Sequence, residues 1–334
     1  MMYSLHNTCR RTIGKIKSRM GNLKKRRCIK LLLPGFLLTS FCFYLMYFRT
    51  TIDHRSPKHQ SPFLCLSDIS HSKVPVNEKT ILKILPFSSL TAERYFRATL
   101  NNLKSCELPA SINKVPCLKC IVVGNGAVLQ NKSLGKQIDS YDVVIRLNSG
   151  PVIGYENDVG NKTTFRLCYP ESIISDPSQY DANTILVFVP FKPLDLRWLV
   201  DVIVKNKVSD RGFWKKPPAS IIYRNNQIRI LNPSIVKRAA FDLLKLPMDI
   251  PIEKPPQYPT TGIIAISMAL TMCNEVHVAG FKYDFINMNS TLHYYSNDTM
   301  SSMGKMLYHN ISAEQILLKQ LKSSNTVFDL TGNF

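Results

Sequence analysis

In the stretch MLYHNISAEQILLKQLK, residues 306–322, His309 stands three residues ahead of Ser312 and five ahead of Glu314. An ordinary imidazole titrates near pH 6.5, so it can take up or give a proton at working pH. Ser312-Ala313-Glu314-Gln315 is a helix-start signature, with Gln315 able to complete a capping box with Ser312. The positive end of that helix, placed beside His309, disfavours the imidazolium and keeps the ring available as a base. Glu314 in the first turn favours the same helix end, and a contact with the imidazole would pull the opposite way. Asn310-Ile311-Ser312 is also an acceptor sequence for N-glycosylation, where a glycan would crowd the base.

A second group of residues is uncharged. The run CIVVGNG reads as a buried strand that turns at Gly124-Asn125-Gly126, and YDVVIRLNSG as a second strand ending at Asn148. A dinucleotide fingerprint fails here, because position 129 is leucine and no acidic residue closes the second strand. Two amides instead suit a nucleotide monophosphate, since asparagine both donates and accepts toward ribose, base and phosphate. The competing reading is that both cap turns. Thr260-Thr261-Gly262 precedes a helical run, a natural anion site or a plain N-cap. The chain has no Asp-x-Asp pair, which favours a donor that needs no metal. Positive or neutral hydrogen-bond donors must then stabilise the leaving group. Cys117-x-x-Cys120 has no second cysteine pair or His-x3–5-His to complete a zinc site, and it precedes a strand rather than opening a helix as a redox pair does. Its two thiols are expected to bridge to different partners. Trp214 has two readings, a platform for a sugar face or a core tryptophan.

The elements that must position these residues alternate. TILVFVPF (184–191), QIRILNP (227–233) and EVHVAGF (275–281) read as further strands; TAERYFRATLNNLKSC, LRWLVDVIVK and SIVKRAAFDLLKL have helical spacing. TTGIIAISMALTMC is apolar nearly all round and predicts a buried helix. The pattern predicts one Rossmann-like, doubly wound α/β domain. The first two strands should be parallel neighbours, which brings Asn125 and Asn148 to one edge, where open parallel sheets bind ligands.

The chain has 334 residues, is 45% hydrophobic and carries a formal charge of +20. Residues 1–30 hold ten Lys or Arg and no acid, and the 18 residues 31–48 are uncharged and apolar. That combination predicts a cytosolic basic tail and a transmembrane anchor with the C-terminal body across the membrane. A cleaved signal peptide is the alternative, but no small-residue cleavage site follows Phe48. A basic tail against an anchor argues against nucleic acid as the partner. Residues 49–88 read as a stem and 89–334 as the lumenal domain. Sequons at Asn131, Asn161, Asn289, Asn297 and Asn310 agree with that address, as do the six cysteines beyond the anchor, for which disulfides are the default.

The residues resemble the animal sialyltransferases. CLKCIVVGNG…LCYPES is similar to the large sialyl motif of that family and PTTGIIAISMALTMCNEVHVAGF to the small one; HYYS (293–296) resembles the third motif and His309…Glu314 the very small one. All four occur in order, and the resemblance spans about residues 90–334. GFWKKPP, PTTGIIAI and YHNISAEQ are most similar to the β-galactoside α-2,3-sialyltransferases of types IV and VI, the latter more so. The resemblance implies a variant of the glycosyltransferase-A fold in the Golgi membrane. It implies inverting, metal-independent transfer of sialic acid from CMP-sialic acid to the 3-hydroxyl of a terminal galactose on glycoprotein and glycolipid glycans. Linkages to the 6-hydroxyl of galactose or to another sialic acid are the alternatives, since donor motifs are shared, and a non-enzymatic glycan-binding anchor protein is a further one. By motif position it implies that Asn125 and Asn148 hold the CMP moiety and that Thr261, Gly262 and Gly280 line the same pocket. Tyr169 would contact the phosphate and His293 assist its departure. Tyr258 would face the galactose with Trp214 beside the acceptor, and His309 would be the base. Cys120 would bridge to Cys273, and Cys117 to Cys65 or Cys106. Two departures stand out: Ser296 ends the third motif where an acid is frequent, and Cys168 replaces a frequent aromatic.

Overall fold

The computed structural model describes residues 60–70, 90–103, 105–247, 257–282, 284, 286–304 and 308–332. The expected tail and anchor therefore lie outside the described residues. The chain divides into two compact units, residues 1–58 with 113–117 and residues 59–112 with 118–334. All that follows, Cys117 apart, concerns the second unit.

Among the described residues, seven strands form one sheet: β1 Lys119–Val123, β2 Val143–Leu147, β3 Phe165–Cys168, β4 Ile185–Phe188, β5 Ile228–Ile230, β6 Glu275–Ala279 and β7 Phe328–Asp329. Every pairing is parallel, in the order β5-β4-β3-β2-β1-β6-β7. The chain winds outward from β1 to β5, then returns to place β6 on the other side of β1. This is the doubly wound parallel sheet the sequence pattern predicts, and its direction reverses between β1 and β6. Strands β2 and β3 are buried along their whole length, Arg146 and Arg166 included.

Among the described residues, four helices have more than ten residues: α1 Leu90–Asn102, α2 Pro193–Ile203, α3 Thr261–Met272 and α4 Ile311–Ser323. Helix α3 packs on β1, β2, β3 and β6, and all but one of its side chains are buried, as its unbroken apolar composition requires. Phe188 and Trp198 stack between β4 and α2, with ring centroids 5.9 Å apart. Fully burying side chains of this size contributes roughly 1.5–3 kcal/mol each.

Two strands were not legible. β3 has four residues with Arg166 among them, which breaks the apolar pattern, and β7 has only two residues. The predicted helix at SIVKRAAFDLLKL is α-helical over Pro233–Lys237 and continues as π-helix through Arg238–Leu243. Within the segment read as stem, residues 62–64 are built into the fold. Leu64 N–H donates to Ile230 O at 2.9 Å, and Phe63 is buried 5.6 Å from the Phe165 ring.

Cys120 at the start of β1 is bonded to Cys273, which caps the C-terminus of α3. Cys65 is bonded to Cys106. That second bond corrects the expectation for Cys117: it is disulfide-bonded, but to neither candidate. Cys168 is a free, buried thiol whose pKa burial pushes up to about 12, which disfavours the reactive thiolate.

Candidate active site

At the sheet reversal three glycines bring the backbone together. Gly124 N–H donates to Ala279 O at 2.8 Å and Gly126 N–H to Gly280 O at 3.0 Å. A Cβ on Gly124 or Gly126 would lie 2.6 Å from Gly280 O. Gly280 itself has φ +77°, the left-handed region that favours glycine. The Gly-Asn-Gly turn is therefore a close-packing device, not a pyrophosphate loop.

Between these elements and the ends of β2, β3 and β4 lies a cavity of about 620 Å³. Asn125, Asn148, Tyr169, Thr261, Gly262, Gly280, His293, His309, Tyr258 and Trp214 all line it. Sequence reasoning thus assembled one site from residues up to 184 positions apart (309 minus 125). Trp214 is 72% exposed, so it is a cavity-lip residue and not a core tryptophan.

The two asparagines are held differently. Asn125 donates its side-chain N–H to Leu147 O at 3.3 Å, while its backbone carbonyl accepts from Tyr294 N–H at 3.0 Å. Asn148 has φ +53°, which asparagine tolerates better than most residues. Its backbone carbonyl accepts from the Arg166 guanidinium at 2.9 Å, and the same guanidinium donates to Gly150 O at 2.8 Å. Its side-chain Oδ1 is buried with no partner among the described residues. A buried acceptor left unpaired costs about 1–3 kcal/mol, which a ligand donor would relieve. Arg166, buried in β3, is a positioning residue that sequence reasoning missed.

His309 precedes α4, but Ser312 does not cap that helix. Asn310 does: its Oδ1 accepts from Ala313 N–H at 3.1 Å. The asparagine of the sequon is nearer the helix end, so it wins the cap that Ser312-x-x-Gln315 was expected to form. The carboxylate of Glu314 does not reach the imidazole either. Its Oε1 accepts from Thr260 N–H and its Oε2 from Thr260 Oγ–H, both at 2.7 Å. Thr260 in turn caps α3, so Glu314 ties α4 to α3 beside the cavity. Burial pushes the Glu314 carboxyl up to about 7, against those hydrogen bonds.

His309 Nδ1 lies 2.8 Å from Tyr258 O. A carbonyl oxygen can only accept, so Nδ1 carries hydrogen and the neutral ring presents its lone pair at Nε2. Burial lowers the His309 pKa below its ordinary 6.5, with the Tyr258 bond opposing more weakly. His309 is therefore a neutral imidazole with a fixed tautomer near pH 7.

His293 stacks on Tyr295 at 5.2 Å, and the backbones of His293 and Gly126 form an antiparallel bridge. Its Nδ1 lies 3.4 Å from Ser296 Oγ and 3.8 Å from Asp298 Oδ2, and Ser296 Oγ–H donates to that carboxylate at 2.8 Å. The acid missing from the end of the third motif is thus present two residues later, next to the same imidazole. Burial lowers the His293 pKa, and Asp298 opposes this. The Tyr169 hydroxyl is pushed up to about 12 by burial first, then by Glu171, and is a neutral donor. Among the described residues, no three His, Cys, Asp or Glu side chains converge to hold a metal ion. The sequons at Asn131, Asn161, Asn289 and Asn297 are exposed, whereas Asn310 is half-buried in its cap.

A sequence profile of glycosyltransferase family 29 (sialyltransferase) matches residues 69–326. The chain belongs to that family. It is 53% identical over 272 residues to a rat type 2 lactosamine alpha-2,3-sialyltransferase, covering 81% of this chain and 82% of that one. It is 50% identical over 270 residues to the human protein of the same name, covering 81% of each. It is 43% identical over 276 residues to the mouse CMP-N-acetylneuraminate-beta-galactosamide-alpha-2,3-sialyltransferase 4, covering 82% and 80%. A crystal structure of a mammalian sialyltransferase bound to Gal-beta-1-3GalNAc-ortho-nitrophenol superposes with TM-score 0.65 at 24% identity, covering 84% of this chain and 97% of that one. This sialyltransferase therefore shares the fold of the solved structure.

Proposed function

We propose that this sialyltransferase moves sialic acid from CMP-sialic acid to the 3-hydroxyl of terminal β-galactose on lactosamine-type glycans of glycoproteins and glycolipids. The reaction inverts the anomeric centre and needs no metal. The observation that carries this reading is His309: a half-buried, neutral imidazole with Nδ1–H fixed on Tyr258 O, in one cavity with Asn125 and Asn148. The names of the relatives supply the donor, the acceptor and the linkage.

In the reaction, the galactose 3-oxygen attacks the anomeric carbon as its proton passes to His309 Nε2. The bond from that carbon to the phosphate oxygen breaks, and CMP leaves. Asn125, Asn148 and the first-turn backbone of α3 at Thr261 and Gly262 hold the nucleotide, with Gly280 beneath it; first-turn N–H groups have no intrahelical acceptors. The orphaned Oδ1 of Asn148 accepts from a ribose or cytosine donor. Tyr169 donates to the phosphate as a neutral phenol, and His293 eases its departure. Burial works against a protonated His293 in the free protein, and the arriving phosphate supplies the opposing charge. Tyr258 and Trp214 receive the acceptor.

The same reading places the chain in the Golgi membrane as a single-pass type II protein, residues 31–48 spanning the bilayer and the body lumenal, with a glycosyltransferase-A variant fold. The basic tail, the 18-residue apolar run and four exposed sequons support it. The test uses the full chain in detergent with CMP-sialic acid and a galactoside panel, with and without EDTA. A 3-linked product on lactosamine that survives chelation is expected. A product on another hydroxyl, or loss of activity with EDTA, overturns the linkage or the metal independence respectively.

A further inference from the structure

The proposed reaction leaves unused the charged part of the cavity wall that lies beyond Tyr169, toward the end of β4. Lys192 stands there, just before α2, with Glu171 after β3 and Asp195 in the first turn of α2. We propose that Lys192 is the centre of a carboxylate subsite that holds the acid group of the donor sugar, separate from the residues that hold CMP. This inference rests on CMP-sialic acid being the donor.

The ammonium is fixed from three sides. Its Nζ lies 2.8 Å from Glu171 Oε1, 3.7 Å from Asp195 Oδ1 and 4.6 Å from the Phe213 ring centroid. The side chain of Glu171 is 1% exposed against 34% for Lys192, and both residues line the cavity. Among the described residues Glu171 is the only hydrogen-bond acceptor of Nζ, and an ammonium has three N–H donors.

Asp195 explains how a lysine between two buried carboxylates can still attract an anion. One oxygen, Oδ2, is spent on the backbone N–H groups of Phe191 and Lys192 at 2.8 and 3.1 Å. The other, Oδ1, is buried without a hydrogen-bond partner among the described residues. Burial pushes this carboxyl up to about 7, with Lys192 opposing, so much of its negative charge is absent near neutral pH. Glu171 then serves as the single counter-ion and orients the ammonium.

Position selects the sugar carboxylate over the phosphate. The amides and the α3 turn sit at the ends of β1, β2 and beside β6, where the nucleoside is gripped. Lys192 follows β4, two strands beyond β2, roughly 10 Å along the sheet edge. Tyr169, after β3, falls between them. A donor laid along that edge meets amides, then the phosphate contact, then Lys192, and its next anion after the phosphate is the sialic acid carboxylate.

The test compares two ligands that differ by that sugar. Dissociation constants for CMP and for CMP-sialic acid are measured by calorimetry, without acceptor, on the full chain in detergent. The proteins are the wild type, Lys192→Gln, and the double variant Glu171→Gln with Lys192→Gln. The double variant leaves no unpaired glutamate and keeps the test alive should the single variant not fold. CMP affinity is expected to stay within about twofold, while CMP-sialic acid weakens about tenfold or more, the usual size of a lost charge-assisted bond. Equal weakening of both ligands, or no selective loss, overturns the subsite. A wild type that binds neither ligand removes the donor assignment beneath it, a result distinct from either.

Discussion

The wall built at the sheet reversal and the wall built around α4 solve different problems. The first is neutral and rigid. Asn125, Asn148 and the three packed glycines carry no charge, and their positions are set by backbone bonds between β1, β2 and β6. The second is ionisable. His309, Glu314 and the N-terminus of α3 are joined through Tyr258 and Thr260, and burial shifts both titratable groups toward their uncharged forms. The contrast predicts that CMP binding is nearly independent of pH, while proton transfer and the stability of its frame are not.

The sharpest break of that contrast is His309→Ala. It is expected to lower kcat/KM by about 10³-fold, within the usual range for a positioned general base, while CMP affinity and the circular dichroism spectrum stay unchanged. In the wild type, the acid limb of kcat/KM should fall below pH 6.5, because the base acts only when neutral and its pKa lies below that value. An acid limb above 6.5, or a near-normal rate in the variant, would remove His309 from the reaction.

Glu314 gives the next largest effect, on stability. Its folded pKa is raised from 4.5 to about 7, so between those values the folded state binds more proton than the unfolded state. Stability should therefore fall as pH rises through that window, by up to about 3 kcal/mol. Glu314→Gln keeps an acceptor for Thr260 and cannot ionise. Urea midpoints at pH 5 and pH 8 should show the variant gaining on the wild type at the higher pH. Parallel curves would mean that the carboxyl is not held neutral.

Much of this site is legible in the sequence. Residues in strand-end turns or at helix starts are legible, because Asn125 and Asn148 close a strand pattern and Thr261 and His309 stand at the start of a helical one. Residues that act through tertiary contact are not. Arg166 read as an interruption of apolar sequence, yet it fixes the Asn148 backbone. Lys192 and Glu171 are 21 positions apart and meet only because β3 and β4 are parallel neighbours. The cap of α4 was misplaced by two residues because Asn310 and Ser312 are both good caps, and only the path of the chain chooses between them.

On the neutral wall, Asn148→Gly isolates the side chain, since glycine accepts φ +53° without strain. Removing an unpartnered buried oxygen should leave the melting temperature nearly unchanged, while CMP binds about tenfold more weakly, with no dependence on pH between 6 and 8 as a rough working span. A large loss of stability instead would show that the amide serves the fold and not the ligand.

The smallest effect belongs to Asp298, where the two walls meet at His293. Its carboxylate is 64% exposed and 3.8 Å from Nδ1, so solvent and salt screen most of the attraction. Asp298→Asn should therefore slow transfer only a few-fold, and the difference from wild type should shrink as ionic strength rises. The amide still accepts from Ser296 Oγ–H, so the imidazole keeps its orientation and loses only a neighbouring charge. A loss as large as that from His309→Ala would mean that Asp298 acts without screening, and the acid two residues beyond the motif would then belong to the ionisable wall in full.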